Sequence, residues 1–290
     1  MNSITREASV LGPVVTGTDG SEKAMEAVLW AAGEAAARKQ PLAVVHAIGV
    51  EQAGYVAYDE SHRVLDSAKE VLDDAAALVS RRYPQVAVST VLSRDEPAES
   101  LLEAAGDTGT IVVGSRGLGG FGALLLGSVG LRVAARARGP VVVVRDAAEA
   151  PTGVVLAAVR DDGDRGTLRF AARTATLRGA SLRVVSVWMF LQNVGSMATM
   201  VDDVSGVAQA EAAATSHTVA PLREEFPDLA IAEETARASS VAGALAKASR
   251  QADLLVVGAR RPAHAIGSPL GHVAHALLHH AHCPVAVVPR

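Results

Sequence analysis

The sequence predicts an α/β protein of two tandem doubly wound domains, each a five-stranded parallel sheet wrapped by helices. Three observations carry this. The 290 residues are long enough for about two domains. Short apolar runs alternate with helical stretches along the whole chain. The second half also repeats the first: Val14-Val15 recurs as Val154-Val155 and Leu42-Ala43-Val44-Val45 as Leu182-Arg183-Val184-Val185, both at an offset of 140. Further on, Ile111-Val112-Val113-Gly114 recurs as Leu255-Val256-Val257-Gly258 and Pro140-Val141 as Pro284-Val285, at 144. An internal repeat of this length is one fold written twice. It sets domains at residues 9–146 and 151–290, joined by a short linker that reaches Pro151.

Each element of the first domain has its own reason. Gly12–Gly17 is an unbroken apolar strand. Ser21 is an N-cap residue, which starts a helix running to Lys39. Leu42–Ala47 is a buried strand, and 60–82 has helical periodicity that stops before Pro84. Val86–Val91 is a strand, and Pro97–Ala105 a helix with proline in its first turn. Thr110–Val113 is a strand, Gly127–Arg138 a helix, and Val141–Arg145 a strand. The run Val141-Val142-Val143-Val144 does not alternate, as expected of a strand covered on both faces.

Composition narrows the function classes. Hydrophobic residues make up 49% and aromatics 3%, so the core is Ala, Val and Leu, which suits helices packed closely on strands. Net charge −4 with pI ≈ 6.1 argues against a general nucleic-acid binder. No apolar run reaches the 18–20 residues of a membrane span, and the first eleven residues carry no apolar signal segment. The single cysteine, Cys283, cannot form an internal disulfide, in keeping with a reducing cytoplasm.

Two segments carry chemistry. After the fourth strand comes Gly114-Ser115-Arg116-Gly117-Leu118-Gly119-Gly120, then Gly127-Ser128-Val129, a G-x2-G-x9-G-S spacing. Glycines let the backbone approach an anion closely, and successive N–H groups form a concave nest for it. A helix opening at Gly127-Ser128 adds free N–H groups and a favourable dipole. Arg116 offers a counter-charge. After the first strand comes Gly17-Thr18-Asp19-Gly20-Ser21. With strand order 3-2-1-4-5, strands one and four are neighbours at the topological switch point, and both segments face one cleft. A carboxylate there suits a ribose hydroxyl, an adenine amino group or a phosphate-held metal. It is equally at home as a turn residue. The backbone at Val45, in Val44-Val45-His46-Ala47, is placed to read a base edge.

On these residues the two units resemble universal stress protein domains, in the tandem form found in actinobacteria. The resemblance spans nearly the whole chain. It implies an adenine nucleotide alpha-hydrolase-like fold and ATP as the ligand, with magnesium as its counter-ion. Phosphates would lie on Gly114, Ser115, Arg116, Gly117, Leu118, Gly119 and Gly120 and on Gly127, Ser128 and Val129. The nucleoside would lie against Gly17, Thr18, Asp19 and Val45. The implied role is a nucleotide-dependent stress or regulatory protein. A slow ATPase or adenylyl-transferring enzyme on the same fold, and a nucleotide-free interaction module, remain the alternatives. No catalytic base can be named.

The second copy has diverged at these positions. At offset 140 Asp19 maps to Val159, and at 144 Gly117 maps to Arg261 and Ser128 to His272. Pro262 and Pro269 take N–H donors out of the loop. One competent nucleotide site, in the first domain, is therefore expected, unless Asp161 or Asp162 stands in for Asp19.

Three further features call for a reading. Histidines crowd the C-terminal region, and His275 and His279 share a helix face, but they read as a histidine-rich surface rather than a metal site. Trp188, Met189 and Phe190, with Met197 and Met200, mark an apolar patch, either a lid or a partner surface. The last strands, Val141–Arg145 and Val285–Pro289, fall at sheet edges, which are usually covered. Pairing of the two units as an intrachain pseudo-dimer, and of two chains as a homodimer, is the expected cover.

Overall fold

The computed structural model describes residues 11–49, 58–117, 126–145, 151–189, 204–260 and 270–290, without the side chains of 58–61 and 204–205. The chain divides into two compact units at residues 146/147. Among the described residues the first unit runs β1 (Val14–Gly17), α1 (Glu22–Arg38), β2 (Leu42–Ala47), α2 (Tyr58–Arg82), β3 (Val88–Ser93), α3 (Pro97–Ala105), β4 (Thr110–Gly114), α4 (Ser128–Arg136) and β5 (Val141–Val144). Its strands lie in the order β3-β2-β1-β4-β5, with the paired registers parallel. This is the doubly wound order, with β1 and β4 at the switch point.

Small residues set the packing of α1 on this sheet. Ala27, Val28, Ala31, Ala32 and Ala35 recur at helical spacing and are fully buried. Ser21 caps the helix by accepting from Ala24 N at 3.3 Å. Its other end closes on Lys39, in the left-handed region at φ 54°, where Gly179 stands after the matching helix of the second unit at φ 62°.

One buried ion pair joins α1 to the sheet. Arg38 Nη2 lies 2.7 Å from Glu34 Oε1, with both side chains no more than 2% exposed. Arg38 Nη1 donates to Thr110 Oγ1 at 2.9 Å and to the Leu11 carbonyl at 3.3 Å. The i,i+4 spacing permits the pair, and the hydroxyl and carbonyl satisfy donors that burial would otherwise strand.

Some element ends differ from the sequence expectation. β3 begins at Val88 rather than Val86, because Val86 N is spent on the Tyr83 carbonyl in the turn that closes α2. The helix expected at Gly127–Arg138 spans Ser128–Arg136, with Ala137 N making its last bond, to Val133 O.

The second unit runs β6 (Val154–Val159), a 3-10 turn (Asp162–Asp164), α5 (Arg165–Arg178), β7 (Ser181–Trp188), α6 (Val204–Glu225), β8 (Ile231–Arg237), α7 (Val241–Ala248), a second 3-10 turn (Ser249–Gln251), β9 (Leu254–Ala259), α8 (His272–His280) and β10 (Val285–Pro289). Its order, β8-β7-β6-β9-β10, is the same topology. Pairing corrects the sequence alignment by one residue here. Gly17 faces Val45 in the first unit, and Ala158 faces Val185 in the second. Ala158 is thus the counterpart of Gly17, and Arg160, not Val159, that of Asp19. The cause is a strand-to-helix turn one residue shorter in the second unit, since α1 and α5 still align at 140. Among the described residues, no helix is long and apolar enough to cross a membrane.

Candidate nucleotide cleft of the first unit

Beyond the carboxyl ends of β1 and β4 lies a cleft of about 500 Å³. Its first wall is the turn after β1. Thr18 N donates to the Val45 carbonyl at 3.0 Å, and His46 Nδ1 lies 2.6 Å from the Thr18 carbonyl, so the ring nitrogen donates there. Asp19 Oδ1 accepts from Ser21 N at 3.0 Å, and Thr18 Oγ1 accepts from Gly20 N at 3.2 Å. These two side chain-to-backbone bonds fix the turn. Gly20 adopts φ 80°, which a residue with a side chain would strain to reach.

The second wall follows β4. A Cβ at Gly114 would stand 2.7 Å from the Lys23 carbonyl, so only glycine lets β4 close on the start of α1. A Cβ at Gly117 would collide with Asp19 Oδ2. The carboxylate therefore lies directly against the Gly117 backbone, which brings the two sequence segments to one point.

The third wall is the N-terminus of α4. Gly127 N is held by the Ser115 carbonyl at 2.9 Å, and no side chain caps the helix. Leu131 N makes its first main-chain return bond, to Gly127 O, at 3.2 Å. Among the described residues the N–H groups of Ser128, Val129 and Gly130 have no protein acceptor, and all three residues line the cleft. Such an end concentrates partial positive charge and unmet donors, the requirement of an oxyanion. The remaining wall is apolar: Val45, Ala47, Pro97, Leu101 and Leu126.

The sequence expectation can now be placed residue by residue. Gly17, Thr18, Asp19, Val45, Gly114, Arg116, Gly117, Gly127, Ser128 and Val129 all line this one cleft. Ser115 does not. It is buried, its N–H donates to Val144 O, and its carbonyl anchors Gly127, so it positions α4 rather than facing the cleft. The Val45 carbonyl accepts from Thr18 N, so the backbone expected to read a base edge also pins the turn after β1. Leu118, Gly119 and Gly120 lie outside the described residues. Sequence reasoning missed Pro97, Leu101 and Leu126, whose apolar side chains carry no mark that separates a cleft wall from a core. It also missed the positioning bond from His46.

The other features fall elsewhere. Asp162 accepts from Thr218 Oγ1 at 2.9 Å, and this bond, with the nearby Arg165, holds its carboxyl below the usual range. Burial pushes the Cys283 thiol up to about 12, so it stays protonated and unreactive. The His275 and His279 rings lie 4.8 Å apart, and among the described residues no three His, Cys, Asp or Glu side chains are grouped to hold a metal. Trp188 ends β7 under the Arg237 guanidinium, 5.8 Å from its ring centre, and Met189 is exposed. Phe190, Met197 and Met200 lie outside the described residues.

Comparison with known proteins gives a consistent picture. The model of the universal stress protein family matches residues 11–145 and again 152–289. A universal stress protein of Mycobacterium tuberculosis, Rv2623, is 37% identical over 137 residues, which are 46% of this chain and 45% of that protein. A second from the same organism, Rv2028c, is 30% identical over 280 residues, 95% of each chain. Among solved structures, a universal stress protein from Archaeoglobus fulgidus superposes with a TM-score of 0.69 at 18% identity, covering 96% of both chains. A putative universal stress protein from Pseudomonas aeruginosa reaches 0.59 at 17% identity, covering 98% of this chain and 95% of that one. The two structures share the fold.

Proposed function

The chain belongs to the universal stress protein family, and from that premise we propose that its first unit binds ATP and acts as a nucleotide-dependent regulatory protein. The observation that carries this reading is the uncapped N-terminus of α4, set against the Gly114–Gly117 backbone and Asp19 in one cleft. The residues present fit a nucleotide. The N–H groups of Ser128, Val129 and Gly130 would receive phosphate oxygens, with Arg116 as counter-charge. The bare backbone at Gly114 and Gly117 lets β4 close on the start of α1 and brings Asp19 against the loop, contacts that a Cβ would block. Asp19 presents a hard oxygen to a ribose hydroxyl or to phosphate-bound magnesium. Val45, Ala47, Pro97 and Leu101 offer an aliphatic slot for a base, in place of the aromatic stacking that 3% aromatic content rarely supplies. A bound phosphate chain would complete the first turn of α4, so occupancy couples to the stability of that helix and of whatever surface it presents.

The test is a calorimetric titration of the full chain with MgATP, MgADP and MgGTP, with melting curves in parallel. Saturable ATP binding is expected. At 100 times the dissociation constant the bound state gains about 2.7 kcal/mol, read as a higher melting midpoint. No heat and no shift with any nucleotide at millimolar concentration would remove this reading in favour of an interaction module.

A further inference from the structure

The strand-end crevice of the second unit is built on the same topology but wired differently. In the first unit the Ser115 carbonyl accepts from Gly127 N and pins the start of α4. The counterpart of Ser115 is Ala259, and its carbonyl accepts instead from Arg290 N at 3.1 Å. The Arg290 side chain runs across Gly258, the counterpart of Gly114. A Cβ at Gly258 would stand 2.9 Å from both Arg290 Cδ and Thr167 Oγ1.

The guanidinium then meets two carboxylates from the turn after β6. Arg290 Nε lies 3.1 Å from Asp164 Oδ1, and its Nη2 pairs with Asp161. Arg290 and Asp164 are 9% and 6% exposed. Neither carboxylate is free to swing away. Asp164 Oδ2 accepts from Arg160 N at 2.8 Å, and Asp161 Oδ1 from Gly163 N at 2.9 Å. Arg160, standing where the first unit has Asp19, and Arg260 also pair with Asp161, at 3.1 and 3.2 Å.

We propose that Arg290 is an internal ligand of the second unit: it fills the strand-end crevice, closes that unit to nucleotides, and leaves the chain with one nucleotide site. The proposal rests on the first-unit cleft being a nucleotide site. A triphosphate entering the second crevice would have to take Arg290 from Asp164 and Asp161, leaving two backbone-tethered carboxylates beside its own negative charge. One of them would be buried without a counter-ion, a heavy penalty. Asp161 and Asp162, the residues that could have replaced Asp19, are both committed to protein partners.

The experiment uses the full chain as wild type, Gly117→Arg, Arg290→Ala and Asp164→Asn, each titrated with MgATP by calorimetry and melted without ligand. One site per chain is expected in the wild type and none in Gly117→Arg, an affinity loss of at least a hundredfold. A Gly117→Arg chain that still binds one ATP with wild-type affinity overturns the proposal. If the wild type itself binds nothing, the nucleotide reading of the first unit fails, and the melting arm judges the lock separately. Arg290→Ala and Asp164→Asn should each lower the midpoint by about 5 °C or more, as expected for breaking a buried pair. Midpoints equal to wild type in both variants would overturn the lock.

Discussion

Replacing Ser128 by proline isolates the donor on which the phosphate argument depends. Ser128 is the first residue of α4, so its N–H has no acceptor within the helix, and proline is well tolerated there. Gly127 before it sits at φ −70°, ψ 156°, already in the extended region that a following proline demands. The fold should thus be nearly indifferent to the change, while the cleft loses one N–H aimed at an anion. A hydrogen bond to a charged group is worth about 1.5–3 kcal/mol, so ATP affinity should fall roughly 10- to 150-fold. The hydroxyl is lost as well, and Ser128→Ala measures that part alone. A hydroxyl bond to a phosphate oxygen is charge-assisted as well, worth at most about 1.5–3 kcal/mol, so roughly 10- to 150-fold is the ceiling for alanine, and proline, which loses the N–H too, should bind more weakly still. The assay is calorimetric titration of the three chains with MgATP, with melting midpoints as the folding control. Proline and alanine variants of equal affinity would refute the role given to the α4 N-terminus.

Other consequences can be checked with the same material. Gly117→Ala leaves the backbone unstrained but drives a methyl group into Asp19 Oδ2; titration should show ATP binding about tenfold or more weaker, on the scale of one lost charge-assisted hydrogen bond. Glu34→Ala leaves Arg38 charged and fully buried without its carboxylate, which should cost about 3–5 kcal/mol in urea unfolding, with Glu34→Gln milder. Burial alone would raise the Asp161 carboxyl, but the Gly163 N–H, Arg160 and Arg290 outweigh it and hold it below the usual 3.8. Its contribution to stability is present above that value and is lost as pH falls through the lower, folded one. Acid melts should therefore decline more steeply below about pH 4 in the wild type than in Asp161→Asn.

The fold was legible because the apolar runs, their helical intervals and the repeat all agree. The cleft was legible because its chemistry is written in residue types that tolerate few substitutes: Gly114, Gly117 and Asp19, far apart in sequence, meet as the strand order requires. The one-residue slip at β6 was not legible. Val154–Val159 is uniformly apolar, with no alternation to mark which residue faces which, so its pairing with β7 and β9 fixes the register. The burial of the Arg38–Glu34 pair was not legible either, since nothing local says that Thr110 and Leu11 will close over it. Arg290 was silent for the same reason: its partners lie in the turn after β6, at the other end of the unit's sequence.

The most direct test of the central claim is native mass spectrometry of the intact chain in MgATP, compared with Ser128→Pro and Gly117→Arg. The account predicts a single added nucleotide mass on the wild type, diminished in the first variant and absent in the second. An unshifted wild type, or two added nucleotides with one retained by Gly117→Arg, would contradict it.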